Sequence, residues 1–496
     1  TVNLGVRWDF YGVIDEKHGL FTKFDSVNGL RPVGSPTLPR LYEPDYKNFA
    51  PRVSVAWDLT GKGKTVIRTG YGIFYDAFSQ DFFMGHLPFP STFDPGPAYS
   101  GIGPSAISFG GAAGGALNSS APVYSGFSPM TDAFAVDRNI RTPYMQNYNL
   151  NVQQQLFHNA VLEVGYVGSN GRRLFRFRDI NQPSQAAINA FDPAGFTCSS
   201  PPCVPRPFAP LVYVFQQEAS ANSNYNALQV TLRMQSWHGL NSTLNYVWSH
   251  SIDNASDGED FVPNASQPNN SLRPDLDKGN SNFDIRQRLM WNFIYELPKW
   301  KGSWSKLTDG WGLNGVLTLQ SGQPFHVNYN FQDDFDGSGS LIGRPDVVAP
   351  IVYNRSDPNN FLDLTSFAVP CRLGTAAAAA TNCQRGSFHF GSLGRNSLLG
   401  PDFRQFDFAI FKNTSLSERL TIQFRAEFYN LPNHPNFANP YLPSFIADAA
   451  SGGISDGTGR SMGHLALAAT GDVGIGYPFL GGGGPRGIQL ALKLIF

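Results

Sequence analysis

The side chains best equipped for chemistry in this chain are few and far apart. Cys198 and Cys203 share the segment CSSPPC, and Cys371 and Cys383 share a second segment. Four cysteines allow three pairings, and proximity favours disulfides joining Cys198 to Cys203 and Cys371 to Cys383. A zinc site fits less well, because the spacing matches no zinc motif and no histidine cluster accompanies it. Asp333, Asp334 and Asp336, followed by Gly337 and Ser338, offer hard oxygen ligands, with Asp334 and Asp336 the candidates for a cation such as calcium. The distal glutamate and the remaining spacing of a calcium loop are missing, so a hydrated Asp/Gly turn accounts for the same residues. Asp253, Asp257, Glu259 and Asp260 read in the same way, as a hydrated loop face.

GKGKT at 61–65 ends like a phosphate loop, but Asp58 stands where the first glycine of that motif is required. The glycines and lysines instead suit a tight hairpin turn between two strands. No HExxH, GxSxG or complete GxGxxG occurs, and the histidines are scattered, His250 near a strand end and His389 and His434 in loops. No pair of carboxylates has a spacing tied to hydrolysis. The expectation is a protein that is not an enzyme and needs no cofactor.

Composition says what must position these groups. Of the 496 residues 15% are charged and 14% aromatic, with 51 glycines and 36 prolines, which suits many strands joined by long irregular loops. A net charge of -1 without a basic stripe excludes a nucleic-acid binder, whose affinity comes from cations on phosphates. No apolar run is long enough for a helical membrane span. A β-barrel escapes that test, since its strands alternate lipid-facing and lumen-facing residues.

The last segment shows that alternation. Ile488, Leu490, Leu492, Leu494 and Phe496 fall on one face, and Gln489, Ala491 and Lys493 on the other. Between 419 and 430, Leu420, Ile422, Phe424, Ala426 and Phe428 alternate with Thr421, Gln423, Arg425, Glu427 and Tyr429, so every charge lies on the polar side. Similar segments lie near 1–10, 50–59, 64–76, 145–157, 160–169, 224–236, 239–251, 285–297, 311–330 and 403–414, about twelve strands in all. Short turns near 60–63, 157–159, 236–239, 298–310 and 415–418 alternate with long loops near 11–49, 77–144, 170–223, 252–284, 331–402 and 431–484. In an outer-membrane barrel the short turns face the periplasm and the long loops the exterior, where disulfides persist. Trp8, Phe10, Trp57, Tyr75, Phe157, Trp237, Trp248 and Trp300 near strand ends would form girdles at the two interfaces. The low-complexity stretches GGAAGGA (110–116) and TAAAAAT (375–381) fall in loops.

Several segments resemble the TonB-dependent receptor family, in particular the carboxypeptidase-regulatory-like, or Oar-like, group of soil bacteria. They include NFAPRVSVAWD (48–58), VIRTGYGIFYD (66–76), MQNYNLNVQQQL (145–156), FDIRQRLMWNFIYELP (283–298), WGLNGVLTLQSGQPF (311–325) and RLTIQFRAEFYNLPNHPNF (419–437). The resemblance implies an antiparallel transmembrane β-barrel of 22 strands with long extracellular loops. This chain would supply its C-terminal portion over residues 1–496, with the N-terminal plug and the first strands absent. It further implies a bacterial outer-membrane receptor that takes up a scarce nutrient. The partners would be outer-membrane lipid, an extracellular ligand and an inner-membrane TonB-type energising complex that acts through the N-terminal part. Leu490, Leu492, Leu494 and Phe496 look like the signal that barrel assembly machinery reads in a final strand. The competing expectation is a surface adhesin or structural barrel whose loops bind a partner without active transport.

Overall fold

The computed structural model describes residues 1–15, 17, 22–25, 29–77, 132–184, 186–187, 205–208, 213–256, 268–299, 305–330, 342–368, 389–417, 420–440, 444–446, 463–469 and 484–496. Twelve strands make one antiparallel wall: β1 (Val2–Trp8), β2 (Phe49–Asp58), β3 (Thr65–Tyr75), β4 (Tyr144–Phe157), β5 (Ala160–Asp179), β6 (Tyr213–Trp237), β7 (Leu240–Asp253), β8 (Gln287–Glu296), β9 (Trp311–Gln320), β10 (Phe403–Ser417), β11 (Leu420–Tyr429) and β12 (Gly487–Ile495). Each pairs with the next in chain order. That meander follows from the connections, since a turn as short as 158–159 can join only antiparallel neighbours. In the turn after β2, Gly61 and Gly63 adopt positive φ, and the Asp58 carboxylate accepts the N–H groups of Thr60, Gly61 and Gly63. The GKGKT segment is therefore a hairpin turn, as its residues suggest.

Register sorts the side chains into two faces. Across β4 to β8 the row Val152, Val164, Val230, Tyr246, Leu289 is apolar throughout. The adjacent row on the other face runs Asn151, Gly165, Gln229, Val247, Arg288. At the far end Ile422, Phe424, Ala426 and Phe428 meet Leu494, Leu492, Leu490 and Ile488, while Gln423 meets Lys493 and Glu427 meets Gln489. Recesses of about 370, 390 and 600 Å³ open on the polar face, which is the concave one. The convex face is apolar and uncovered, with Leu490 68% exposed. Such a patch in water would drive aggregation, whereas hydrocarbon removes the cost.

Trp57, Phe157 and Trp237 stand at the short-turn ends of their strands, and Trp8, Tyr75 and Trp248 towards the long-loop ends. Trp300 lies outside the described residues. On the convex face of β10 the sequence Arg404, Phe406, Phe408, Ile410, Lys412 places charge only at the two limits. Lys412 reaches the carbonyls of Leu307 and Asp309 at 2.9 and 3.2 Å and lies 5.2 Å over the Trp311 ring, so its ammonium is drawn to the turn. Arg404 pairs with Asp402. Gly315 on β9 has no side chain because the rings of Phe293 and Phe406 fill its place from both neighbouring strands.

Two expectations need correction. The segment 170–223 is not all loop: β5 and β6 stay paired to Asp179 and Phe215, far beyond the apolar band, with bulges near Leu174. The segment 311–330 is not one strand. It breaks after Gln320, where a Cβ at Gly322 would lie 2.0 Å from the Gly400 carbonyl, and resumes as the short strands Pro324–Phe325 and Asn328–Asn330.

The extended β5–β6 hairpin carries a roof over the long-loop end. One face of it packs Phe177 and Phe215 with Leu41, Tyr42, Val136 and Ile140. A second core gathers Phe325, Val327, Phe361, Leu362, Leu364, Phe367, Leu393 and Leu398 from later connections. Each such buried side chain contributes roughly 1.5–3 kcal/mol. The ring is open in this chain, for β1 and β12 both remain sheet edges.

Candidate functional site

The surfaces that can recognise a solute are the concave wall and the roof above it. Strand alternation places Arg52, Arg68, Gln229, Arg288, Asp407, Arg425 and Glu427 on the wall, facing the recesses. Arg425 pairs with Glu427 at 2.8 Å, and the Arg68 guanidinium donates to Gln153 Oε1 at 2.6 Å. Arg52 lies 4.4 Å over the Phe74 ring. Glycine opens the floor beside it: Gly5 and Gly70 leave the recess bounded by Asn3, Ser54, Asn147 and Asn149.

In the roof, charge is buried and paired. Arg395 Nη1 donates to Asp253 Oδ1 at 2.6 Å, and Nη2 to Ser256, clamping the connection after β7 to the one before β10. Arg344 joins Asp277 at 2.5 Å and donates through Nε to the Leu393 carbonyl at 2.8 Å. Asn280 and Asn396 exchange amide-to-carbonyl bonds at 3.0 and 2.8 Å. His326 Nδ1 lies 2.8 Å from Asn396 Oδ1. Burial and the neighbouring Arg344 push the His326 pKa down to about 3, so the imidazole is neutral at ordinary pH. Arg176, 1% exposed, has its pKa lowered by burial, with Asp277 and Glu218 opposing that effect.

The expected site residues fall in three groups. Cys198, Cys203, Cys371 and Cys383, like Asp333, Asp334 and Asp336, lie outside the described residues. So do Asp257, Glu259 and Asp260. Asp253 does not belong to a hydrated face; it is 3% exposed and held by Arg395, because β7 runs far enough to carry it under the roof. Leu490, Leu492, Leu494 and Phe496 stand on the convex side of the edge strand, Phe496 91% exposed. His389 sits 2.6 Å from Asp346, and His250 contacts Asn280 and Arg286. Among the described residues no three His, Cys, Asp or Glu side chains converge as a metal site.

The roof residues Asp277, Arg344, His326 and Arg395 had no signal in spacing, since folding assembles them from separate connections. Arg176 is the exception: Phe175, Arg176, Phe177 and Arg178 alternate as a strand does.

No curated protein matches the chain. Solved structures similar to it include the outer membrane transporter YddB from Escherichia coli, with TM-score 0.42, 10% identity, and coverage of 92% of this chain and 41% of that one. The siderophore receptor PiuA from Acinetobacter baumannii has TM-score 0.38 and 6% identity over 90% of this chain and 36% of its own. The ferripyoverdine receptor of the outer membrane of Pseudomonas aeruginosa has TM-score 0.36 and 9% identity over 91% of this chain and 33% of its own. The chain thus spans about two fifths or less of the length of these structures. The sequence model described as "Outer membrane beta barrel domain" matches residues 1–462. A match over that much of the chain, on a wall apolar outside and polar within, means that the chain belongs to the outer membrane beta barrel domain family.

Proposed function

We propose that the chain forms part of a TonB-dependent receptor that takes up a scarce nutrient through the outer membrane. The observation that carries this reading is the polar concave wall under a roof ordered by buried ion pairs, which suits selective admission better than an open pore. The segments resembling receptors of the carboxypeptidase-regulatory-like group support it. Short turns face the periplasm in this reading, and the roof faces the exterior. The edges β1 and β12 meet further strands of a 22-strand ring, since unpaired strand edges are not tolerated in hydrocarbon. A plug in the lumen would respond to work from the inner-membrane energising complex.

Depletion of solutes from defined medium tests this, comparing cells that carry the intact receptor with and without the energising complex. Depletion that needs both supports energised uptake. Depletion indifferent to the complex, or none, favours the adhesin or structural barrel. Leu490, Leu492, Leu494 and Phe496 serve in addition as the signal for barrel assembly machinery. Removing Phe496 lowers the amount of heat-modifiable protein in the outer membrane at native expression, and unchanged assembly overturns that role.

A further inference from the structure

Among the described residues of the roof, four buried carboxylates are held by guanidinium groups. Asp179, Glu218, Asp253 and Asp277 each have a guanidinium in ion-pair reach: Arg206 at 3.7 Å, Arg178 at 2.8 Å, Arg395 at 2.6 Å and Arg344 at 2.5 Å. Arg176 is a fifth guanidinium, 1% exposed, opposite Glu218 in the β5–β6 register. Its Nε and Nη2 make no hydrogen bond.

The two carboxylates that act on it are already engaged. Glu218 Oε1 accepts from Ser220 at 2.6 Å and Oε2 from Arg178 at 2.9 Å. Asp277 Oδ1 is taken by Arg344, and Oδ2 accepts the Asn269 N–H at 2.8 Å. The Asp277 and Glu218 carboxylates offset part of its charge, but two buried guanidinium N–H groups still lack an acceptor, and leaving them so is costly. Nε and Nη2 lie on one edge of the guanidinium, where two parallel N–H bonds match two oxygens of a single oxyanion.

We propose that Arg176 binds an oxyanionic group, a phosphate, sulfate or carboxylate, through its Nε–Nη2 edge inside the roof. The wall below carries both signs, with Arg52, Arg68, Arg233, Arg288 and Arg425 against Glu163, Asp407 and Glu427. Among the described residues Arg52, Arg68, Arg233 and Arg288 have no carboxylate partner, and the Nε atoms of Arg52 and Arg288 are unbonded. An anion leaving the roof would meet these guanidinium groups along the lumen. Calling the anion the cargo rests on the transport reading; the site itself does not.

Titration calorimetry of the intact protein in detergent at fixed ionic strength tests the site, with inorganic phosphate and glucose 6-phosphate as parallel probes. Wild type binds at least one of them saturably. Arg176→Gln weakens binding roughly tenfold or more, as loss of a charge-assisted bidentate pair requires, and Arg176→Lys retains part of it. Arg273→Gln, which removes an exposed pair with Asp275, changes nothing. Tighter binding of the sugar phosphate assigns the oxyanion to a larger solute; equal or weaker binding assigns it to the free ion. No saturable binding of either probe to wild type overturns the proposal, as does unchanged affinity in Arg176→Gln. Amide exchange across 253–256 reports whether each variant keeps its roof. Binding without energised uptake would remove the transport reading and leave the site standing, and energised uptake without binding would do the reverse.

Discussion

On the convex face of the wall, leucines and phenylalanines are uncovered, and the charges of β10 sit at its two limits, Arg404 against Asp402 and Lys412 against turn carbonyls. In the roof, two small apolar cores close while guanidinium and carboxylate groups lie buried against each other. The same chain thus follows opposite rules within one pair of strands, β5 and β6, as they pass from the apolar band into the roof. The difference teaches that exposure is not a property of residue type alone; it reports the medium each region was built for.

The largest test of that contrast is in the roof. Asp253→Ala strands Arg395 without its carboxylate and costs about 3–5 kcal/mol of local stability. Amide exchange accelerates at 253–256 and 393–396 while β8 to β11 stay protected; a uniform change would merge the two regions. In the wall, Val230→Arg costs about 2–4 kcal/mol in a urea titration of folding into lipid vesicles, and Gln229→Arg, one residue away on the concave face, costs well under that. Equal costs would break the assignment of faces. Gly315→Ala forces a Cβ to within 2.6 Å of the Phe293 ring and costs about 1–3 kcal/mol by the same assay.

The smallest effect is acid loosening of the roof. A histidine with pKa depressed to about 3 binds fewer protons folded than unfolded, so its contribution is complete above about pH 6.5 and is lost as pH falls towards 3. Below pH 6.5 the loss is about 1.4 kcal/mol per pH unit. Exchange at 324–328 measured at pH 5.5 reads it, and His326→Gln should flatten the dependence.

The wall was legible because one period governs it. Alternation, together with turns such as TGKG and SWHG, located the twelve strands, nine of them to within a few residues and β5, β6 and β9 with one end misplaced by about ten. Two misreadings came from testing every strand against lipid. Phe175 to Arg178 alternates well but places arginine on a face beyond the apolar band, where charge is allowed. SGQP at 321–324 carries a turn signature that an apolar run on either side obscured. The roof was not legible, because Arg344 and Asp277, or Leu41 and Phe215, meet only after long connections fold back, and no local period records that.

Arg404 and Lys412 on the convex face of β10 also act as a ruler. Eight residues of antiparallel strand span about 27 Å, which at a tilt near 40° is roughly 21 Å of depth. That is a few ångströms short of the roughly 25 Å apolar band of outer-membrane barrels. The Lys412 ammonium, drawn to the turn carbonyls, and the Arg404 guanidinium, turned to Asp402, reach outward from the two ends and lengthen the uncharged span. One strand thus marks the depth over which this side of the wall carries no charge.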